Sequence, residues 1–372
     1  MVSIFNLNKF TKIVTITLTQ ACNLNCIYCY ECHKSTKFMS FEKAKEIIDK
    51  ELASISKDKN IQFDLFGGEP FLNFQLIKQI VGYVEEKYSD YNVMLFIATN
   101  GTLLTKEIKE WLKSKTQILQ CGLSLDGTKE MHDYNRDNSF DLIDLDFFAN
   151  TYPEQIVKMT ISQYSLKKLY ECVKFCHEKG FQVSCNLAYG LDWSNKENVS
   201  ILEEELLKLI NYYLENLHIK PCSILDRPIS SIAVLEKQAI RTCGAGWNMV
   251  AYDVDGKSYP CQFFMPLSVG KEKAEKSKTL SFNDEIISDD KLDPKCTNCV
   301  VKAICPRCSG SNYMQTGNIY LQDDNMCKLN KIIFKARAYF KAKLYEKGVY
   351  NNCSEGEINA LLKSIILIND NL

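Results

Sequence analysis

A strand-then-helix alternation over the first half of the chain limits its possible folds more than any other feature. Residues 12–19, Lys-Ile-Val-Thr-Ile-Thr-Leu-Thr, alternate apolar and hydroxyl side chains and are rich in β-branched residues, which predicts a strand. A helical pattern follows from Phe41 to about Ser56, with Ser40 as its N-cap. Strands are then expected at 61–66, 92–99, 118–125, 155–161 and 182–187. The intervening helices fall near 74–88, 106–112, 142–149 and 166–179, the last ended by Gly180. Six strands alternating with helices imply a parallel α/β sheet with right-handed crossovers, open or curled into a partial barrel. Loops at the C-terminal ends of the strands should then carry the chemistry.

The loop after the first of these strands reads Cys22-Asn-Leu-Asn-Cys26-Ile-Tyr-Cys29. Three thiolates in a C-x3-C-x2-C loop can hold three irons of a cubic cluster, whereas such clusters usually have four cysteine ligands. The fourth iron is then open to a small molecule. Cys32 lies three residues further on, and a zinc knuckle is the competing reading of the triplet. The chain has 17 cysteines, no basic-then-apolar leader at its N-terminus and no apolar run near ~20 residues. A cytoplasmic, unsecreted protein is expected, with metal or clusters rather than disulfides explaining the cysteines. With 45 basic and 46 acidic side chains the net charge is -1, which points to neither nucleic acid nor a membrane surface as a partner.

Beyond a charged amphipathic helix at about 198–217 the regular alternation stops and the cysteine density rises. The expected organisation is a partial barrel over 1–217, a bridge over 218–242, a smaller cysteine-rich domain over 243–330 and a helical tail over 331–372. The cysteine-rich part contains Cys243, Cys261, Cys296, Cys299, Cys305, Cys308 and Cys327, seven in about 85 residues. C-x2-C and C-x5-C-x2-C spacings suit either iron-sulfur clusters or a pair of zinc sites. Cys121, Cys172, Cys176, Cys185 and Cys353 fall in predicted elements or the tail and read as ordinary thiols, and the four histidines show no ligand spacing.

The triplet resembles the signature of the radical S-adenosylmethionine enzymes, and further motifs at successive strand ends strengthen the resemblance. Gly67-Gly68-Glu69-Pro70 after the second strand is similar to the family motif that hydrogen-bonds the amino group of S-adenosylmethionine, the glycines allowing close backbone approach. Thr99-Asn100-Gly101 and Ser124-Leu125-Asp126-Gly127 also match the family pattern. The resemblance implies that Ser124 contacts the ribose and that Arg136, in Asn135-Arg136, pairs with the methionine carboxylate through its planar fork. It further implies Tyr28 beside the adenine and Leu187 on its other side.

The downstream cysteines resemble the SPASM extension, which binds one or, more usually, two auxiliary [4Fe-4S] clusters. By position Cys296, Cys299, Cys305 and Cys327 would hold a distal cluster. Cys243, Cys261 and Cys308 would hold a nearer one, with Cys222 or an open iron as its fourth ligand. The Cys305–Cys308 spacing is one residue shorter than the commonest family form.

The resemblance spans about residues 12–340 and implies reductive cleavage of S-adenosylmethionine to a 5′-deoxyadenosyl radical, hydrogen-atom abstraction and a net two-electron oxidation. One branch, the anaerobic sulfatase maturases, places an acidic base after the cysteine matching Cys261. Here that position is Gln262, which cannot accept a proton, so the expectation is the branch that crosslinks ribosomally made precursor peptides, with a thioether as the leading product. Other radical oxidations and a non-catalytic zinc protein are the alternatives. The implied partners are the precursor peptide, a separate leader-recognition protein, and an electron donor such as flavodoxin or ferredoxin.

Overall fold

The computed structural model describes residues 10–153, 155–235, 238–282 and 286–372. The extreme N-terminus, residues 1–9, read above for a leader, lies outside them. Strands β1 (Lys12–Thr19), β2 (Ile61–Gly67), β3 (Val93–Thr99) and β4 (Leu119–Leu123) pair in parallel in chain order. Strands β5 (Val157–Ile161) and β6 (Val183–Leu187) form a parallel pair of their own. A bridge between Ser124 and Lys158, with Leu125 N donating to Lys158 O at 2.9 Å, carries the wall from β4 to β5. The result is the α/β partial barrel expected from the alternation, with helices Phe41–Ala53, Phe74–Lys87, Lys106–Ser114, Leu145–Thr151 and Leu169–Glu178 outside it.

Side-chain period explains the wall. In β2, Ile61, Phe63 and Leu65 are buried toward the helices, while Gln62, Asp64 and Phe66 face the barrel interior. Ser40 caps the first helix by accepting from Lys43 N at 3.3 Å, and Gly180 at φ +84° ends the fifth, where a side chain would be strained. The fourth helix starts at Leu145 rather than 142, because the Asp144 carboxylate accepts from Phe147 N and sets the first turn there.

The cysteine-rich region joins the barrel sheet. After the two-residue strand β7 (Ala239–Ile240), strand β8 (Met249–Tyr252) runs parallel to β1, pairing Ile13 with Met249 and Ile16 with Tyr252. Strand β9 (Ser258–Tyr259) folds back antiparallel on β8, and β10 (Ile286–Ile287) pairs with β7. The six-stranded order is therefore β4-β3-β2-β1-β8-β9, and one backbone ladder fixes the second cysteine array relative to the first. Helix Asp324–Glu346 packs on helix Glu197–Glu215, and helix Glu355–Asn371 packs against it in turn. No helix among the described residues is long and apolar enough to cross a membrane.

Candidate functional site

The cysteine loop leaves the C-terminal end of β1 and is closed at its base, where Gln20 N donates to Lys37 O at 3.0 Å and Met39 N to Leu18 O at 2.9 Å. Within it Cys29 N donates to Cys26 O at 3.1 Å, and Lys34 Nζ donates to Leu24 O at 2.9 Å, which places a cation beside Cys22, Cys26 and Cys29. Burial pushes all three thiols up, Cys29 to about 11, so the thiolate form needs a positive partner. Iron supplies one, and its binding would release those protons. Among the described residues no three Cys, His, Asp or Glu side chains converge around one ion position. A cubic cluster is larger than an ion and holds its thiolates farther apart.

Gly67-Gly68-Glu69-Pro70 packs directly on this loop. A methyl group on Gly68 would lie 2.2 Å from Ala21 O and 2.9 Å from Cys22 Cβ, and one on Gly67 would lie 2.5 Å from Thr19 O. Gly68 N donates to Thr19 O at 3.1 Å and Glu69 N to Ala21 O at 2.9 Å. The backbone of these glycines therefore packs tightly on the cysteine loop. The Glu69 carboxylate is buried and turned inward, accepting from Thr99 Oγ1 at 2.7 Å, Asn100 N at 2.9 Å and Phe71 N at 3.2 Å. Burial nevertheless raises its pKa to about 7. Asn100 Nδ2 reaches back to Asn23 Oδ1 at 3.0 Å, so β3 also holds the cysteine loop. Pro70 opens the short helix that follows.

Asp126 organises the far side. Its carboxylate accepts from Arg136 Nε at 3.0 Å and Nη2 at 3.2 Å, Asn135 Nδ2 at 3.1 Å, Thr160 N at 2.9 Å and the Tyr28 hydroxyl. Arg136, expected to face a ligand carboxylate, is held by this one, and both groups are buried. The Arg136 guanidinium also lies 5.4 Å from the Tyr28 ring centre, so Tyr28 is tied to Asp126 and Arg136 by hydroxyl and ring alike. Ile27 N donates to Asn135 O at 3.0 Å, fastening the cysteine loop here as well. Ser124 sits at the β4 end and Leu187, buried, at the β6 end.

Histidine 132, assigned no role from sequence, supports this turn. His132 Nδ1 accepts from Asp126 N at 3.3 Å, and burial depresses its pKa to about 4, keeping it neutral. Sequence reasoning also missed Glu31, whose buried carboxyl is pushed up to about 8 and whose Oε1 has no hydrogen-bond partner. Its only sequence signal was its place two residues after Cys29.

The second array separates into two groups. Cys296, Cys299, Cys305 and Cys327 line one small cavity with Lys295, Lys302 and Arg307, cations that would offset thiolate charge. Burial pushes Cys305 up to about 12. The Nε and Nη1 donors of Arg307 are buried without partners beside Cys296 and Cys305, as a cluster offering acceptor sulfurs would require. Cys261 neighbours Cys308 and Cys243 in the aromatic core around Phe263 and Phe264.

Cys222, considered as a fourth ligand there, is placed elsewhere. It is fully buried in the barrel core, its thiol hydrogen-bonded to Cys185 and its backbone N–H to the Tyr213 hydroxyl at 2.9 Å. The bond to Cys185 lowers its pKa. Cys32 lies outside the triplet and contacts Ser268 O at 3.5 Å.

The two cysteine regions meet through Tyr30. Its ring stacks on Phe263 at 4.2 Å and 21°, and both Cys29 and Cys261 are close enough to act on its hydroxyl. Below them the barrel interior forms a cavity of about 540 Å³ lined by Asp64, Phe66, Phe96, Lys158 and Gln262 among others.

A model of the 4Fe-4S single cluster domain family matches residues 13–143. An uncharacterized protein of Methanocaldococcus jannaschii is 33% identical over 226 residues, covering 56% of this chain and 76% of its own length. The AdoMet-dependent heme synthase of Methanosarcina barkeri is 25% identical over 350 residues, 85% of this chain and 96% of that protein. A cysteine-type anaerobic sulfatase-maturating enzyme of Clostridium novyi is 27% identical over 329 residues, 76% and 83% of the two chains.

Among solved structures, anSMEcpe with bound AdoMet and Cp18Cys peptide superposes with a TM-score of 0.65 at 18% identity, covering 92% of this chain and 99% of that one. SuiB of Streptococcus suis bound to precursor peptide SuiA gives a TM-score of 0.55 at 16% identity, with coverages of 85% and 76%. At these identities the likeness is one of fold.

Proposed function

The chain belongs to the radical S-adenosylmethionine enzymes that carry a SPASM-type auxiliary-cluster domain, oxidoreductases that use S-adenosylmethionine and [4Fe-4S] clusters, and on that premise we propose that it matures a precursor peptide by forming a crosslink, with a thioether as the leading product. When bound, these groups supply a 5′-deoxyadenosyl radical able to take a hydrogen atom from an unactivated carbon. Cys22, Cys26 and Cys29 would hold the reactive cluster, and the Gly67–Pro70, Asn100 and Ser124 loops would cradle S-adenosylmethionine above the barrel. Arg136 and Asp126 would hold the wall of that cradle in place with Tyr28 between them, and Leu187 would close it from β6. Cys296, Cys299, Cys305 and Cys327, and separately Cys243, Cys261 and Cys308, would hold auxiliary clusters.

The observation that carries the reading is the joining of the two cysteine regions over one cavity, through the β1–β8 ladder and the Tyr30–Phe263 stack. A group in that cavity meets Gln262, which adjoins Cys261 and hydrogen-bonds Tyr30 next to Cys29, so it reaches the seam between the two regions, where a net two-electron oxidation would draw on both. Relatives of this fold that are bound to peptides support a peptide as the substrate. Gln262 turns the reading away from formylglycine formation, because an amide cannot serve as a base. The separate leader-recognition protein and the flavodoxin or ferredoxin remain part of the proposal.

The similarity to a heme synthase favours, as a second reading, oxidation of a small molecule. The cavity lining is mixed, Gln62, Asp64, Gln120, Gln155 and Lys158 beside Leu65, Phe66, Met94, Phe96 and Ala98, and the mass of the product decides between the two readings. Two experiments test the proposal. Anaerobically prepared protein should be brown, contain iron and sulfide, and release 5′-deoxyadenosine from S-adenosylmethionine under dithionite. Co-expression with small peptide genes from the same neighbourhood should give a peptide two hydrogens lighter; an unchanged mass with every such peptide overturns the crosslinking reading.

A further inference from the structure

The barrel cavity holds two opposite charges that do not meet. Asp64 projects into it from β2 and Lys158 from β5, and each is the nearest opposite charge to the other. No ion pair within 4.0 Å joins them. The Asp64 carboxylate accepts one hydrogen bond, from Gln62 Nε2, through Oδ1, and Oδ2 has no partner. Lys158 makes no hydrogen bond through its ammonium and has Arg227 as a second cation nearby. At the upper end Gln262 Oε1 is buried without a donor. Asp64 is half-buried and Lys158 exposed toward the cavity, and the desolvating wall around them pushes the Asp64 carboxyl up to about 6 and lowers the Lys158 ammonium. Both charges are open to the cavity and unpaired with each other, so a ligand carrying the complementary pair could meet them together.

Resting on the peptide reading above, we infer that this cavity is a recognition site for a dipolar substrate group, with an ammonium directed to Asp64 and a carboxylate to Lys158. The volume of about 540 Å³ accommodates two side chains of a peptide. Its charges balance, so a singly charged or apolar group would leave one of them unanswered. Gln262, where a base would otherwise stand, offers a free carbonyl oxygen to the N–H groups of the same ligand. The same pair of charges could come from peptide side chains or from the head group of a free amino acid.

The test uses the anaerobically reconstituted full chain and calorimetry with four probes. Three are acetylated, amidated tripeptides, lysyl-glycyl-glutamate, lysyl-glycyl-glutamine and glutaminyl-glycyl-glutamate, and the fourth is free L-alanine. The doubly charged tripeptide should bind at least about tenfold more tightly than either singly charged one. Asp64→Asn should abolish the preference for lysine, and Lys158→Met the preference for glutamate, with unchanged iron content showing that each variant has folded. Binding of L-alanine but of no tripeptide would keep the dipolar site and count against a peptide substrate. Equal binding of all four probes, or none, overturns the site, even if a co-expressed peptide still loses two hydrogens.

Discussion

Gly68 lies so close to Ala21 that a single added methyl group would stand 2.2 Å from the Ala21 carbonyl oxygen. Gly68→Ala must therefore push the cysteine loop away from the β2 end, and overpacking of this kind costs roughly 1–3 kcal/mol. The expected outcome is loss of iron from the Cys22/Cys26/Cys29 site with the auxiliary iron retained, read by iron analysis and electron paramagnetic resonance. Full iron content and unchanged cleavage of S-adenosylmethionine in this variant would refute the account of the glycine.

How much of this was legible in the sequence follows from the range of the forces involved. The six barrel strands were placed to within a residue or two, because a period-2 pattern such as Ile61, Phe63 and Leu65 is a local signal. The β8 strand was not foreseen, since four residues, Met249–Tyr252, acquire their partner only through a sheet edge more than two hundred residues away. The cysteine groups were visible as spacings, yet Cys222 joined the barrel core because Cys185 and Tyr213 meet it there, a tertiary fact with no sequence pattern. The pairing of Arg136 with Asp126 is hidden for the same reason: no spacing signals a contact between residues ten apart across a turn, and the sequence suggests a ligand carboxylate as the partner of Arg136.

That pair carries the second prediction. Removing one member of a buried ion pair leaves the other charge uncompensated, at about 3–5 kcal/mol. Asp126→Ala should lower the stability of the iron-free protein by that order, measured by anaerobic urea denaturation. Replacing Asp126 and Arg136 together with leucine should recover part of the loss. If the double variant is as unstable as the sum of the two single ones, the two residues act independently.

Glu69 gives a pH dependence whose sign is fixed. Burial raises its carboxyl from 4.5 to about 7 in the folded protein, so the protonated form favours folding. That contribution is complete below about pH 4.5 and is lost as pH rises through about 7, on the order of 1–3 kcal/mol. Glu31 and Asp64, raised to about 8 and about 6, slope the same way. The iron-free protein should lose stability between about pH 5 and 8, and Glu69→Gln should flatten that profile. A steeper profile in Glu69→Gln would show that the carboxylate is favoured, not penalised, in its pocket.

Cys222 and Cys308 make a discriminating pair, since the first is buried, the second half-buried, and each lies in reach of other cysteines. Cys308→Ala should lose one auxiliary cluster's iron, because Cys308 sits with Cys243 and Cys261. Cys222→Ala should keep all its iron and lose only packing, about 1–2 kcal/mol by the general scale of core truncations. Equal iron loss in both variants would return Cys222 to the ligand set.

Arg307 is the remaining test, and it reaches the electronic properties of the distal site. Its Nη2 donates to Ile240 O at 3.2 Å, and that single bond leaves Nε and Nη1 buried and unanswered next to Cys296 and Cys305. Hydrogen bonds and nearby charge set the potential of an iron-sulfur cluster. A guanidinium there stabilises the more negative, reduced state, so Arg307→Leu should shift the reduction potential of one auxiliary cluster to more negative values in an anaerobic titration followed by electron paramagnetic resonance. The iron content should stay constant, because arginine is not a ligand. Lysine at 307 would restore the charge without the planar fork, and a potential intermediate between leucine and arginine would separate the part due to charge from the part due to directed N–H donors. If all three proteins titrate at one potential, those donors do not face a cluster.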